Sequence, residues 1–297
     1  MSIYDLFIQF IDFKRTYCTD KTIIYYQDNV SSFLRWLDGR RIDRDAFQQY
    51  LLFLRSTCKK SVTVKTYFRA VKVFCSWLFD NGFIEENYCK FLKLPRDDAD
   101  IKFPLSASEI SIIDNVFDCS NLGIRNFLIF HFLLDCGLRC SEVINLKYDD
   151  FDLNKRLFKV FGKGHKYRVI PLPGNIYDAL CIYKYRCAGE GSLFYDRYGK
   201  IIEYDTIKDL LNSLKKFVPR GHAHLLRHTF ATSFLYYGGD IEHLRLLLGH
   251  QDIKTTQKYL HLVQILEYSA DDIYLLDDCF YLFGRKKRTP KGSFKDL

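Results

Sequence analysis

Apolar positions recur every three to four residues along most of this chain, the spacing of helices that bury one face. Over the first third it predicts helices at about 3–15, 20–38, 43–56 and 61–80. Thr19 or Asp20 caps the second and Gly39 ends it, while the fourth starts after Ser61 and stops at "DNG" (80–82). Helix formers in "EENYCKFLKL", running up to Pro95, add a short fifth. The segment "LPRDDADIKFPLSASEI" (94–110) then breaks the pattern with two prolines and a cluster of acids, as an interdomain linker does, and Ser106 or Ser108 caps the next helix.

Helical patterns at about 107–117, 122–136 and 140–147 lead into "RLFKVFGKGHKYRVIPL" (156–172), two strand-like runs around a Gly-Lys-Gly turn that predict a hairpin. Helices resume at about 174–187, 204–217, 224–237, 240–248 and 253–267. The apolar run "DDIYLLDDCFYLFG" (271–284) either closes its own domain or docks on a neighbouring subunit, and the basic end "RKKRTPKGSFKDL" follows it. The expected architecture is mainly α with a small β-sheet, in two domains: a helical one over 1–95, a linker over 96–106, and a mixed one over 107–297 whose tail starts near 268.

A chain of 297 residues that is 48% hydrophobic and 27% charged has the makings of two ordinary globular cores. No uninterrupted apolar run approaches the roughly 18 residues of a membrane span. "MSIYDLFIQFIDF" is interrupted by Asp5, Gln9 and Asp12 at helical spacing, so it reads as an amphipathic helix and not a signal peptide. Ten cysteines with no CxxC pair and no leader fit a reducing cytoplasm.

The net charge of +8 points to a polyanionic partner, and its distribution sharpens that reading. From Arg55 to Lys72 there are six basic residues and no acidic one. Lys59 and Lys60 precede the fourth helix, and Lys65, Arg69 and Lys72 share one of its faces, beside an apolar face of Val64, Phe68, Val71 and Leu78. Such a stripe is either a solvated surface or a set of phosphate contacts.

Candidate chemistry lies in the second domain. In "CGLRCSEVINLKYDDFD" (136–152), Arg139 follows Gly137 at a helix-to-helix turn with Glu142 one turn on. That pair is either a structural ion pair or a guanidinium held for phosphate. Lys163 sits between two glycines at the hairpin tip, a place usually given to solvent. "HAHLLRHTFATSFL" (222–235) puts His224 and Arg227 three apart on one helical face, with His228 four beyond His224. An HxxxH pair can hold zinc, but Leu225 stands where a metalloprotease needs glutamate. "LLLGHQDIKTTQKYLHL" (246–262) presents His250 after Gly249, then Tyr259 and His261. Cys136 and Cys140 are small core residues by this reading.

Taken together and in this order, "GLRCSEV", "GKGHKYRVIPL", "HLLRHTFAT" and "LLLGHQDIKTTQKYLH" resemble the tyrosine recombinases, the phage integrase and Xer-like family, over about 137–261. The resemblance implies a SAM-like core-binding domain followed by a mixed α/β catalytic domain. It carries over Arg139, Lys163, His224, Arg227 and His250 as catalytic residues, Tyr259 as nucleophile and Glu142 as the acidic helper, leaving His261 outside the set. It implies cleavage and rejoining of DNA through a 3′-phosphotyrosine and a Holliday junction, with no metal, ATP or other cofactor. The implied partners are double-stranded DNA bearing a specific site, the other protomers of a homo-tetramer on two such sites, and in some members accessory proteins. Lys59, Lys60, Lys65, Arg69 and Lys72 are the expected DNA contacts of the first domain, and the helical pattern beginning at residue 3 leaves no room for an added arm-site domain. Three other readings compete: a type IB topoisomerase that relaxes DNA, a catalytically silent DNA-binding regulator, and a metallohydrolase on His222, His224, His228 and His250.

Overall fold

The computed structural model describes residues 2–58, 60–95, 102–162, 166–187, 190–269 and 272–276. The chain divides into two compact units, 1–100 and 101–297.

The first unit is helical: α1 (Ile3–Arg15), α2 (Asp20–Leu37), α3 (Arg44–Thr57) and α4 (Ser61–Asp80). Local chemistry sets the ends. Ser2 and Asp5 form a capping box on α1, Asp43 caps α3 through the Ala46 N–H, and α2 stops where Asp38 and Gly39 turn left-handed. The inward faces meet in an aromatic core in which Phe33 stacks on Phe47 at 5.0 Å and Phe10 lies edge-on to Phe74 at 5.2 Å. The expected fifth helix does not form; residues 81–91 make turns. Asn87 explains the difference, because its side chain accepts from the Cys89 N–H and donates to Ser76, an arrangement that competes with helical backbone bonding.

The second unit holds α5 (Ala107–Asp114), α6 (Asn121–Leu134), α7 (Cys140–Ile144), a 3₁₀ turn (Tyr148–Asp150), β1 (Phe151–Asp152), β2 (Leu157–Phe161) and β3 (Tyr167–Pro171). It continues through α8 (Gly174–Arg186), α9 (Tyr204–Leu214), α10 (Ala223–Tyr236), α11 (Ile241–Leu248) and α12 (Lys254–Ser269). The strands form an antiparallel sheet in the order β1-β2-β3, with Phe158 opposite Ile170 and Val160 opposite Arg168. The expected hairpin is present, and β1 is an added edge strand that the sequence pattern did not single out. Helices α6 and α10 run through the core and bury nearly every side chain from Leu128 to Leu134 and from Leu225 to Leu235.

Two stretches bind the second unit more closely than the sequence pattern suggests. Residues 102–105, expected as linker, are stitched to it: Leu105 N–H donates to Thr229, His228 donates to the Lys102 carbonyl, and Arg220 donates to the Phe103 and Pro104 carbonyls. Residues 96–101 lie outside the described residues. Of the tail, residues 272–276 lie on their own unit. Ile273 bridges Ser106, Asp272 accepts from Ser108, Leu276 is buried, and Tyr274 donates to Asp135 at 2.8 Å. Asp135 is also bonded to the buried His131 at 2.7 Å, and Asp114 holds the other ring nitrogen at 2.9 Å. Residues 277–297 are outside the description. No helix among the described residues is long and apolar enough to cross a membrane.

Candidate active site

A cavity of about 310 Å³ in the second unit is lined by Arg139, His224, Arg227, His250 and Tyr259, together with Lys102, His222, Leu225, His228 and Lys258. Five of the six principal residues singled out in the sequence thus face one space; Lys163 lies outside the described residues. Among the described lining residues, four lysines and arginines and four histidines share the wall with no carboxylate. The cavity is therefore built to receive negative charge.

Each side chain is delivered by a short structural device. Gly137, with φ of +59°, turns the chain from α6 to α7, and a Cβ there would lie 2.5 Å from the Phe230 ring. The turn leaves Arg139 at the N-cap of α7 with its side chain 34% exposed, free to reach into the cavity. His224 and Arg227 come from the first turns of α10, one on the cavity rim and the other in its floor. Gly249, with φ of +63°, ends α11 and hands the chain to His250. Tyr259 belongs to α12, is buried, and stands 5.2 Å from the His228 ring.

Behind the wall one carboxylate organises the guanidiniums. Glu142 is buried and accepts from Arg139 at 2.8 Å and from both terminal nitrogens of Arg168 at 2.9 Å, and Arg227 lies 3.9 Å away. Burial pushes the Glu142 pKa up, but the Arg168 and Arg139 contacts outweigh it and hold the group below the usual carboxylate range. Arg227 donates to the carbonyls of Gly137 and Leu248 and keeps its charge, although burial lowers its pKa to about 10. Arg168 was not identified from the sequence. Its signal was its place on β3 beside the hairpin turn, and only the fold brings it to Glu142 and to the Leu247 carbonyl at 2.7 Å.

His224 and His250 are poised as neutral rings. Burial, then the charges of Arg227 and Arg139, push His250 down to about 4, and burial followed by neighbouring cations lowers His224. Tyr259 is moved upward by burial and drawn back by Arg227 and Arg139. Lys258, beside the tyrosine, is lowered by burial and by Arg227, and it and Lys102 were also missed in the sequence. His261 is exposed, outside the cavity, and Cys136 is buried in the core. No group of three or more histidines, cysteines or carboxylates among the described residues is arranged to hold a metal ion.

In the first unit, Lys60 and Arg69 are exposed near the start of α4, with Lys65 half-buried between them. Lys72 donates to the Leu92 carbonyl at 3.3 Å, which draws it toward its own unit. Lys59 is outside the described residues.

Residues 105–264 match the sequence model of the phage integrase family. Tyrosine recombinase XerC of Bacillus pumilus is 30% identical over 276 residues, covering 86% of this chain and 90% of the relative. The fold is shared with the XerH site-specific recombinase bound to its palindromic difH substrate in a post-cleavage complex, at TM-score 0.70 and 22% identity, covering 84% of this chain and 79% of that one. It is also shared with the integrase of transposon Tn1549 in complex with transposon right-end DNA, at TM-score 0.69 and 18% identity, covering 91% and 100%.

Proposed function

Because the chain belongs to the phage integrase family of tyrosine recombinases, we propose that it is a site-specific DNA recombinase that works through a 3′-phosphotyrosine and a Holliday junction. The observation that carries the reading is the convergence of Tyr259, Arg139, Arg227, His224 and His250 on one cationic cavity with no carboxylate among its described lining residues.

Tyr259 attacks the phosphorus through its phenolic oxygen, the bond from phosphorus to the 5′ oxygen breaks, and the 3′ phosphate stays on the enzyme. The phenol proton passes to His224, whose lowered pKa keeps it neutral and able to accept. Arg139 and Arg227 hold the non-bridging oxygens as charge builds on the five-coordinate phosphorus; always protonated, they leave that role no need for Mg²⁺. His250 donates to a non-bridging oxygen, Lys163 gives the leaving 5′ oxygen its proton, and Glu142 orients Arg139. The phosphotyrosine conserves the bond energy, so a 5′ hydroxyl from a partner strand displaces the tyrosine and joins the strands anew.

Lys59, Lys60, Lys65, Arg69 and Lys72 supply phosphate contacts from the core-binding domain, and the cavity face of the catalytic domain supplies its own. Four protomers assemble on two sites, with accessory proteins where the site requires them. Residues 272–276 are used on their own unit, and the rest of the tail expected to reach a neighbouring subunit lies outside the described residues.

The test uses a plasmid carrying two copies of the duplex that the full chain protects in footprinting of DNA flanking its gene. Recombinant circles support the proposal. Relaxed circles without recombinants favour the topoisomerase reading, and tight binding without strand breakage favours the regulator.

A further inference from the structure

Thr256 is fully buried in the first turn of α12, one turn before Tyr259, and its hydroxyl lies 2.9 Å from Nδ1 of His250. Three other helix threonines return their hydroxyl to a carbonyl one turn back: Thr57 to Phe53, Thr66 to Val62 and Thr229 to Leu225. Thr256 instead directs its hydroxyl across to the neighbouring loop.

The other ring nitrogen of His250 fixes the proton inventory. Nε2 lies 3.2 Å from an Nη of Arg227, which has hydrogens to give and no lone pair to offer. Nε2 must accept, so the neutral ring carries its proton on Nδ1 and donates it to Thr256. The charges of Arg227, Arg139, Lys258 and Arg168 act on this ring. In this tautomer His250 has no hydrogen to offer a phosphate from Nε2.

We infer that Thr256 is a positioning residue for His250, holding the imidazole in both tautomers and tying it to the helix that carries Tyr259. When a phosphate enters and Arg227 turns to it, the ring changes tautomer by exchange with solvent water: Nδ1 gives its proton to water and Nε2 takes one from water, with no change of net charge. The threonine hydroxyl then donates to Nδ1 where it had accepted, because a hydroxyl can do either. The imidazole keeps its bond throughout and presents Nε2–H to the oxygen. The same bond joins His250 and Tyr259 through one turn of α12, so ring and nucleophile are set together. The tautomer in the DNA-free protein stands on geometry alone; the catalytic part rests on the recombinase reading.

Two measurements test this on the full chain. Long-range ¹H–¹⁵N correlation of the histidine rings in the DNA-free protein, assigned with His250→Gln, is expected to show His250 neutral and protonated on Nδ1, and Thr256→Val is expected to split it into a tautomer mixture. Single-turnover cleavage of a nicked duplex carrying the footprinted site is expected to slow roughly tenfold or more in Thr256→Val, in the manner of a lost transition-state donor. DNA affinity and melting temperature stay unchanged, and Thr256→Ser returns close to the wild-type rate. A Thr256→Val protein with wild-type tautomer and rate overturns the inference, as does a well-folded Thr256→Ser protein as slow as Thr256→Val. A wild-type chain that never cleaves overturns the recombinase reading instead, and is recognised apart because the tautomer measurement needs no DNA.

Discussion

Glu142 and Arg168 form a two-bonded ion pair, each contact 2.9 Å, behind the cavity wall that Arg139 and Arg227 line. The glutamate side chain is 4% exposed and the arginine 12%. A bidentate fork of this kind fixes the carboxylate in plane and direction. Arg139 can then be held by one of its nitrogens and leave the rest of its fork for a ligand.

Removing Arg168 leaves a buried carboxylate short of its main partner. Arg168→Ala is expected to destabilise the chain by about 3 kcal/mol, the cost of breaking a buried pair from one side. Arg168→Lys recovers only part, since an ammonium cannot reproduce the fork. Urea unfolding of the three proteins measures both; an unchanged midpoint in Arg168→Ala would contradict the pairing.

Stability should also fall on the alkaline side. His131 is buried between Asp135 and Asp114; burial alone would lower its pKa, but the two carboxylates outweigh that and raise it from 6.5 to about 9. A group raised on folding contributes its full stabilisation below its unfolded pKa and loses it as pH climbs through the folded one. Between pH 6.5 and 9 the loss amounts to as much as ~3 kcal/mol. Denaturation at pH 6 and pH 9.5 should show this loss in the native chain and a much smaller one in His131→Gln.

The pH dependence of cleavage follows from the other histidines. His224 is lowered from 6.5 by burial first and then by His222, Arg227, Lys102 and Lys258. Its proton-accepting form therefore persists into mildly acid solution. The acid limb of the single-turnover rate should lie below pH 6.5, and a limb at or above that value would remove His224 as the acceptor.

Charge removal on α4 should separate two kinds of basic residue. Lys60→Gln and Arg69→Gln each weaken DNA binding without changing site preference and reduce the salt slope by about 1. Lys72→Gln has a smaller effect because its ammonium donates to the Leu92 carbonyl. Affinity measured across a salt series distinguishes them, and equal slopes for all three variants would contradict the division.

Legibility in the sequence followed the range of the interactions concerned. His224 and Arg227 share a helix turn, and Gly137 and Gly249 mark the turns that present Arg139 and His250, so local spacing was enough to find them. Arg168 and Thr256 looked like an ordinary strand arginine and helix threonine. Their partners are 26 residues away for Arg168 and six for Thr256 across a turn, and the roles emerge only when β3, α7 and α12 pack. The fifth helix failed for the opposite reason: Asn87 makes local side-chain bonds that helix propensity does not register. The docking of residues 272–276 depends on the buried His131–Asp135 pair, which no periodicity reveals.

In the proposed reaction the Tyr259 phenol becomes bonded to DNA. The direct measurement is protease digestion of the protein trapped on a nicked duplex bearing its footprinted site, followed by mass spectrometry of the peptide that retains nucleotide. A single adduct is expected, on the peptide containing Tyr259, joined to a 3′ phosphate and absent from Tyr259→Phe, which still binds the duplex. An adduct on another residue, or one that survives in Tyr259→Phe, would contradict it.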